Sequence, residues 1–323
     1  DHVDVDEIAH LRALGVTRVQ IGVQSLDDRI LALNRRGHDS ASTRRALRLL
    51  RAAGFKLLCH WMPNLLGATP ESDLQDGLRL WSEADVRPDE LKIYPCSLLA
   101  NAELYEVWLR GEYQPYSDGQ LVELIAALKP QIPQYTRINR VFRDIPAGNI
   151  VAGSTRSNLR EDVRRELTRR GQTCACIRCR EVRDGRVDAQ SLNLSDLTYP
   201  AGAAEEHFLQ FTSAAGELAG YLRLSLPEPR SAESAALAAA LPDIAHAALV
   251  REVHVYGQSV RLHADQPGAA QHAGLGTRLL RRAEEIAREH GYPRLAVIAS
   301  LGTRGYYEAR GYALRQTYMV KEL

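Results

Sequence analysis

The chain has 323 residues, more than one ordinary domain holds, which argues for two units. Hydrophobic residues at 45% and charged residues at 25% are globular proportions and exclude a disordered tail, a collagen-like rod or a coiled coil. With 41 basic against 40 acidic side chains the net charge is +1, so any nucleic-acid surface must come from local clustering.

No stretch approaches the ~20 apolar residues that span a bilayer, and the acidic opening DHVDVDEIAH lacks the basic-then-apolar pattern of a signal peptide. Five cysteines, three of them crowded between Cys174 and Cys179, fit a reducing compartment better than a disulfide framework. A cytoplasmic protein without membrane contact is the expectation. The chain has no initiator Met and enters a helical pattern at once, so residue 1 is not expected to be the biological start.

Thr17–Val23 reads as a strand, followed by an amphipathic helix over Ser40–Ala53 with Ser40 as its cap and Gly54 as its stop. Lys56–Met62 is the next strand; Thr69 and Pro70 then open a helix through Leu74, Leu78 and Trp81, and Leu91–Tyr94 is a third strand. Strands recurring about every 35 residues with helices between them predict β-α-β crossovers and a parallel sheet, part of a barrel or doubly wound. In a barrel, chemistry sits after the strand ends, here at Gln24-Ser25, Pro63-Asn64 and Pro95-Cys96; the alternative is three ordinary strand exits.

Farther on, QYTRINRVFR places Arg137, Arg140 and Arg143 three residues apart, with Tyr135 and Phe142 interleaved and no carboxylate. On a helix that spacing makes one basic ridge able to grip RNA phosphates, and Arg156 and Arg160 extend it; a solvated, salt-bridged face is the alternative. TCACIRCRE then sets Cys174, Cys176 and Cys179 at CxCxxC spacing. A soft thiolate set suits tetrahedral zinc, with an iron–sulfur cluster or unliganded thiols as the other readings. The fourth ligand is not evident, and Cys96 is a minor candidate.

The last third changes character. HFLQFTS and ELAGYLRLS flank Ala215-Gly216 as an antiparallel hairpin, and the Ala-rich Ser231–Leu241 reads as an exposed helical turn or an insertion. Leu249–Tyr256 is a strong strand. It leads to Gln271, Gly274, Leu275 and Gly276 at the mouth of a long amphipathic helix, where free N–H groups and the positive helix end suit a pyrophosphate. A Rossmann fingerprint would need a third glycine and a later acidic residue; the pattern instead matches the Q/R-x-x-G-x-G/A loop of the GNAT acyltransferases. Strand Arg294–Ala299 and the short GTRGYYEARGY helix complete that layout, with Tyr306 and Tyr307 at the cofactor or, alternatively, packed away.

Taken together, GVTRVQIGVQSLDDRILALNRRGH, HWMPNLLG, LKIYP, RINRVFRDIP, CACIRCRE, REVHVYG, QHAGLGTRLL and GTRGYYEARGY resemble the catalytic subunit of Elongator over nearly the whole chain. The resemblance implies an α/β fold: a partial parallel β/α barrel of radical SAM type over residues 1–145, a linker with a zinc-binding cysteine segment over 146–200, and a C-terminal GNAT mixed α/β domain over 201–323. It implies acetyl-CoA-dependent carboxymethylation of C5 of the tRNA wobble uridine, with tRNA triggering acetyl-CoA hydrolysis. Glu252, Val253, His254 and Val255 would form the acetyl-CoA strand, Gly274, Leu275 and Gly276 the pyrophosphate loop, and Tyr306 the catalytic tyrosine at the thioester. Zinc would fall on Cys174, Cys176 and Cys179, and the arginines would hold the anticodon stem-loop. Partners would be tRNA and a second copy or Elongator-like subunits.

S-adenosylmethionine and a [4Fe–4S] cluster are expected of the family, but its CxxxCxxC spacing occurs nowhere in the 323 residues, and Gln20 stands where the family usually has Glu. Two other functions remain open. One is a lysine N-acetyltransferase with Glu252 as base, and the other a non-catalytic tRNA-binding scaffold.

Overall fold

A computed structural model describes residues 2–142, 145–156, 158–182, 190–256 and 274–323. The chain alternates from its start: α1 (Val5–Ala13), β1 (Arg18–Gln24), α2 (Asp28–Leu33), α3 (Ser40–Ala52), β2 (Lys56–Trp61), α4 (Pro70–Ser82) and β3 (Glu90–Ile93). Local chemistry sets the helix starts. Asp39, not Ser40, caps α3 by accepting from Ser42 N–H at 2.7 Å, and α4 opens on a Thr69–Ser72 capping box with Pro70 in its first turn.

After β3 come β4 (Leu98–Leu99), α5 (Leu104–Leu109), α6 (Asp118–Leu128), β5 (Arg137–Arg140), β6 (Ile150–Ala152), α7 (Leu159–Arg169) and α8 (Ile177–Arg180). A four-stranded sheet runs in the order β1-β2-β3-β5, with β2–β3 and β3–β5 parallel, while β4 and β6 form a small antiparallel pair. The expected helical ridge over 134–143 is therefore corrected. Pro130 and Pro133 cannot continue α6, Ile138 is buried as a strand residue, and the segment finds its hydrogen bonds beside β3, with Glu90 opposite Arg137 and Leu91 opposite Ile138.

The rest comprises β7 (Asn193–Ala201), β8 (Ala204–Thr212), β9 (Leu218–Pro227), α9 (Ala232–Ala240), β10 (Ala247–Val255), α10 (Leu275–Glu289), β11 (Arg294–Val297), α11 (Arg304–Glu308), β12 (Ala313–Leu314) and β13 (Met319–Glu322). Seven strands form one mixed sheet in the order β12-β13-β11-β10-β9-β8-β7. α9 is an ordinary helix with Ser231 as its cap and Leu237 buried. The apolar stripe of α10, including Leu275, Leu279, Ala283 and Ile286, packs on Leu222, Leu224, Val250, Leu295 and Val297 of the sheet.

Contacts divide the chain into two units that are not contiguous in sequence: Gln20–Arg45 with Leu58–Cys179, and His2–Val19 with Ala46–Leu57 and Arg180–Leu323. Within the second unit, the buried Arg12 guanidinium donates to the carbonyls of Val16 and Thr317 and lies 4.5 Å from the centre of the Tyr318 ring. The Tyr318 hydroxyl in turn donates to Ala53 O at 2.6 Å. Among the described residues no helix is long and apolar enough to cross a membrane.

Candidate functional site

The N-terminus of α10 starts at Gly274, whose φ of +68° is a left-handed conformation that glycine adopts without strain, and among the described residues no side chain caps the helix. Its first N–H groups are thus left for an anion. A Cβ at Gly276 would stand 2.5 Å from the Tyr306 hydroxyl and 3.9 Å from Val255 Cγ2. Three segments distant in sequence therefore meet at one glycine. Arg310 secures the arrangement: its guanidinium lies 3.6 Å from the centre of the Tyr306 ring, donates to Tyr306 O at 2.7 Å, and reaches Thr277 Oγ1 at 2.9 and 3.1 Å. Tyr307 turns into the core between Tyr306 and Tyr312, where burial pushes its phenol pKa up. Gln271 lies outside the described residues.

β10 supplies the wall of this cradle. Its parallel ladder with β11 ends at Val250–Val297, whereas its antiparallel ladder with β9 runs on from Glu252 to Val255 after a bulge. Bulged strands bend, which here parts β10 from β11 beside the helix mouth. Alternation then assigns the side chains to two faces. Val253 and Val255 pack toward α10 and Tyr306, while Glu252 pairs with Lys56 at 2.6 Å and Arg223 at 3.0 Å and accepts from the Tyr221 hydroxyl at 2.9 Å. Burial alone would raise the Glu252 pKa, but the two cations more than offset it and hold the carboxyl down at about 2. A carboxylate so engaged is a poor proton acceptor. His254, on the same face, stacks on Tyr221 at 5.7 Å.

The three thiols of the first unit converge, with all sulfurs within 4.8 Å of one another; Cys176 is buried, Cys174 half-buried and Cys179 exposed. Ile177 N–H bonded to Thr136 O at 3.0 Å moors the segment to the start of β5. Donation from Cys174 and Cys176, with Lys129 and Arg160 nearby, lowers the Cys179 pKa, so this thiol ionises first. Lys129 Nζ lies 3.7 Å from Cys179 Sγ. Among the described residues no fourth His, Cys, Asp or Glu joins the group, and Cys96 sits instead in an apolar cluster with Ile30 and Leu65.

The arginines separate. On β5, Arg137 stands opposite Glu90 and Arg140 opposite Lys92, with a register shift between them that breaks the even spacing, and Arg143 lies outside the described residues. Arg156 pairs with Asp118 at 2.7 Å and Asp162 at 3.0 Å, and Arg160 donates to the carbonyls of Ile138 and Asn139 at 3.1 and 3.2 Å. What emerges instead is a groove of about 740 Å³ whose lining includes Arg140, Arg160, Arg164 and Arg165 with Glu161 as its acid. Arg164 and Arg165 come from α7 and belong to no motif that sequence reasoning singled out. Their signal was helical, four residues on from Arg160 and Glu161.

Across the four-stranded sheet, Gln20 Oε1 accepts from Lys92 Nζ at 2.8 Å and lies 3.1 Å from His60 Nε2, with His60 and Lys92 paired in register. The strand exits beyond are stapled from α4. Asp76 accepts from Ser25 Oγ, Leu26 N–H and Trp61 Nε1, and Asp73 from Asn64 N–H at 2.6 Å and the Tyr116 hydroxyl at 2.9 Å. Burial lifts Asp73 to about 7.

Three family models match the chain: the Radical SAM superfamily over residues 1–76, the Radical SAM C-terminal domain over 88–169 and the Acetyltransferase (GNAT) family over 179–312. The tRNA uridine(34) acetyltransferase of Dehalococcoides mccartyi is 42% identical, with 98% of this chain and 69% of that protein covered. That of Methanocaldococcus jannaschii is 37% identical over 100% and 60%, and Elongator complex protein 3 of Saccharomyces cerevisiae 36% over 96% and 56%. The solved structure of an archaeal Methanocaldococcus infernus Elp3 with an N-terminal deletion superposes with a TM-score of 0.88 at 36% identity, covering 98% of this chain and 75% of that one. The chain thus spans between 56% and 69% of the length of these three curated relatives.

Proposed function

Because the chain belongs to the family that holds the tRNA uridine(34) acetyltransferases and the Elongator complex protein 3 subunits, we propose that it takes part in acetyl-CoA-dependent carboxymethylation of C5 of the tRNA wobble uridine. Its first sheet is the partial parallel barrel of a radical SAM protein, and its second belongs to a GNAT domain. The observation that carries the proposal is the meeting of Val255, Gly276 and Tyr306 at the N-terminus of α10.

In this reading the N–H groups at Leu275 and Gly276 hold the coenzyme A pyrophosphate, and the backbone of β10 beyond its bulge guides the pantetheine arm. The missing side chain at Gly276 leaves room for the Tyr306 hydroxyl beside the helix mouth that holds the diphosphate. As water adds to the acetyl carbonyl and the C–S bond breaks to give acetate, Tyr306 donates its hydroxyl proton to the departing thiolate, and Arg310 fixes the ring for that transfer. A protein acetyltransferase reading lacks its base, because Glu252 faces Lys56, Arg223 and Tyr221.

The groove lined by Arg140, Arg160, Arg164 and Arg165 takes the tRNA backbone, through phosphate contacts that position without reading bases. At the thiols, a tetrahedral zinc with Zn–S bonds of 2.3 Å sets sulfurs about 3.8 Å apart, a spacing that sulfurs within 4.8 Å of one another match. Thiolates on three separate irons stand farther apart, so we assign zinc there, with Lys129 and Arg160 offsetting its thiolate charge. A radical SAM domain in general uses S-adenosylmethionine and an iron–sulfur cluster, which supply a carbon radical when bound. The CxxxCxxC ligand spacing is not found in these 323 residues.

Calorimetric titration with acetyl-CoA tests the cradle. Gly276→Ala is expected to weaken binding at least tenfold while the unfolding temperature stays within a few degrees of wild type. Equal affinity in the two proteins would remove the helix mouth from the site.

A further inference from the structure

Away from both the cradle and the cysteines, Glu205 and His207 project from the same face of β8, and His290 follows the end of α10. The Glu205 Oε1 atom lies 3.2 Å from His207 Nε2 and 3.6 Å from His290 Nε2, and one donor atom from each residue lies within 4.8 Å of the others. The opposite nitrogen of each ring is committed. His207 Nδ1 stands 2.8 Å from the Asp196 carboxylate and His290 Nδ1 2.9 Å from the Ile286 carbonyl.

Neither a carboxylate nor a carbonyl can donate, so each Nδ1 carries a proton, and both Nε2 atoms are turned toward Glu205. Two ring nitrogens and a carboxylate oxygen that converge in this way need something positive between them, either a ring proton on each Nε2 or one metal ion. Outward donation from one ring nitrogen to a carboxylate or a carbonyl is also how metal-binding imidazoles are oriented. His207 is nearly buried and rigidly held, whereas Glu205 and His290 are about half exposed, so an ion can enter from solvent. A cavity of about 520 Å³ adjoins the group and is lined by Glu205, His290, Glu228 and His246 among others.

We propose that Glu205, His207 and His290 bind a divalent transition-metal ion through two imidazole Nε2 atoms and one carboxylate, with the remaining coordination position open to the adjoining cavity. Two nitrogens and one oxygen suit Zn²⁺, Co²⁺ or Ni²⁺ rather than Mg²⁺ or Ca²⁺, which prefer all-oxygen shells. Asp196 is a positioning residue that fixes the His207 tautomer.

Titration of the whole chain with Co²⁺, followed by absorption, tests the site and separates it from the thiols. Sulfur ligands give an intense charge-transfer band in the near ultraviolet; a nitrogen and oxygen site gives only weak visible bands. The expected result is a Co²⁺ equivalent with visible bands alone, beyond the one at the thiols whose thiolate band is lost in Cys179→Ser; this equivalent binds at least tenfold more weakly in both His290→Ala and Glu205→Gln and is unchanged in Cys179→Ser. Both His290 and Glu205 are half exposed, and an unchanged far-ultraviolet dichroism spectrum confirms that the variants fold. Identical titrations for wild type and His290→Ala would overturn the proposal. So would ¹⁵N shifts that show both rings doubly protonated at neutral pH with Co²⁺ in excess, which would make the group a pair of imidazolium–carboxylate bridges.

Discussion

Tyr306 and Gly276 divide one small volume between them, so each predicts the effect of changing the other. Tyr306→Phe keeps the ring under the Arg310 guanidinium and against Tyr307 but removes the proton. The expected outcome is a fall of about 100-fold in the turnover of acetyl-CoA hydrolysis, the usual weight of a general acid, with affinity within about threefold of wild type. Measuring kcat and KM separately by thiol release checks it. Glu252 behaves differently. Its folded pKa of about 2 lies below the unfolded value of about 4.3, so its ion pairs stabilise the fold above about pH 4 and lose that contribution as pH falls toward 2. Glu252→Gln is therefore expected to unfold several degrees lower at pH 7, with a flatter acid limb, while turnover per folded molecule changes less than twofold. The glycine loop and the tyrosine were legible in the sequence because their spacing is a motif. The fate of Glu252 was not: a strand's alternation says that 252 and 253 part company, but only the packed sheet says which of them faces the helix mouth.

At the scale of elements, the arginine stretch shows how spacing misleads. Cations every third residue fit one face of a helix, yet Pro133, Ile138 and an open strand position beside β3 outweigh that pattern, and the basic surface is rebuilt from β5 together with α7. For this groove, Arg164→Glu and Arg140→Glu are each expected to weaken tRNA binding similarly across tRNA sequences. Each should also lower the slope of log K against log salt by about 1, read by filter binding at several salt concentrations. The strand exits, read from sequence as either catalytic corners or plain turns, are fastened by Asp73 and Asp76 of α4, a role hidden until the helix docks. Asp73 holds its proton in the fold up to about pH 7, whereas the unfolded chain releases it near 3.9. The folded state thus binds more protons in that window, and stability declines as pH rises through it. In Asp73→Asn, whose amide oxygen still accepts from Asn64 N–H and Tyr116, this decline is expected to disappear in urea unfolding between pH 4 and 7.5.

For the whole molecule, the order of a parallel sheet, a cysteine segment and a mixed sheet was readable because strand-helix alternation and the hairpin at Gly216 mark each type locally. β7 had no such mark. It is half exposed, lies at the edge of the described sheet beside β8, and carries Pro200. Nor could spacing reveal that residues 2–19 and 46–57 belong with the second unit, since buried contacts such as Arg12 to Thr317 O and Arg251 to Phe55 O span long loops of sequence. The most direct test of the central claim is acetyl-CoA hydrolysis by the wild-type chain, followed by thiol release, with and without tRNA. The account predicts that tRNA accelerates release at least tenfold and that lysine peptides do not. Release that is unmoved by tRNA but accelerated by lysine peptides would contradict it.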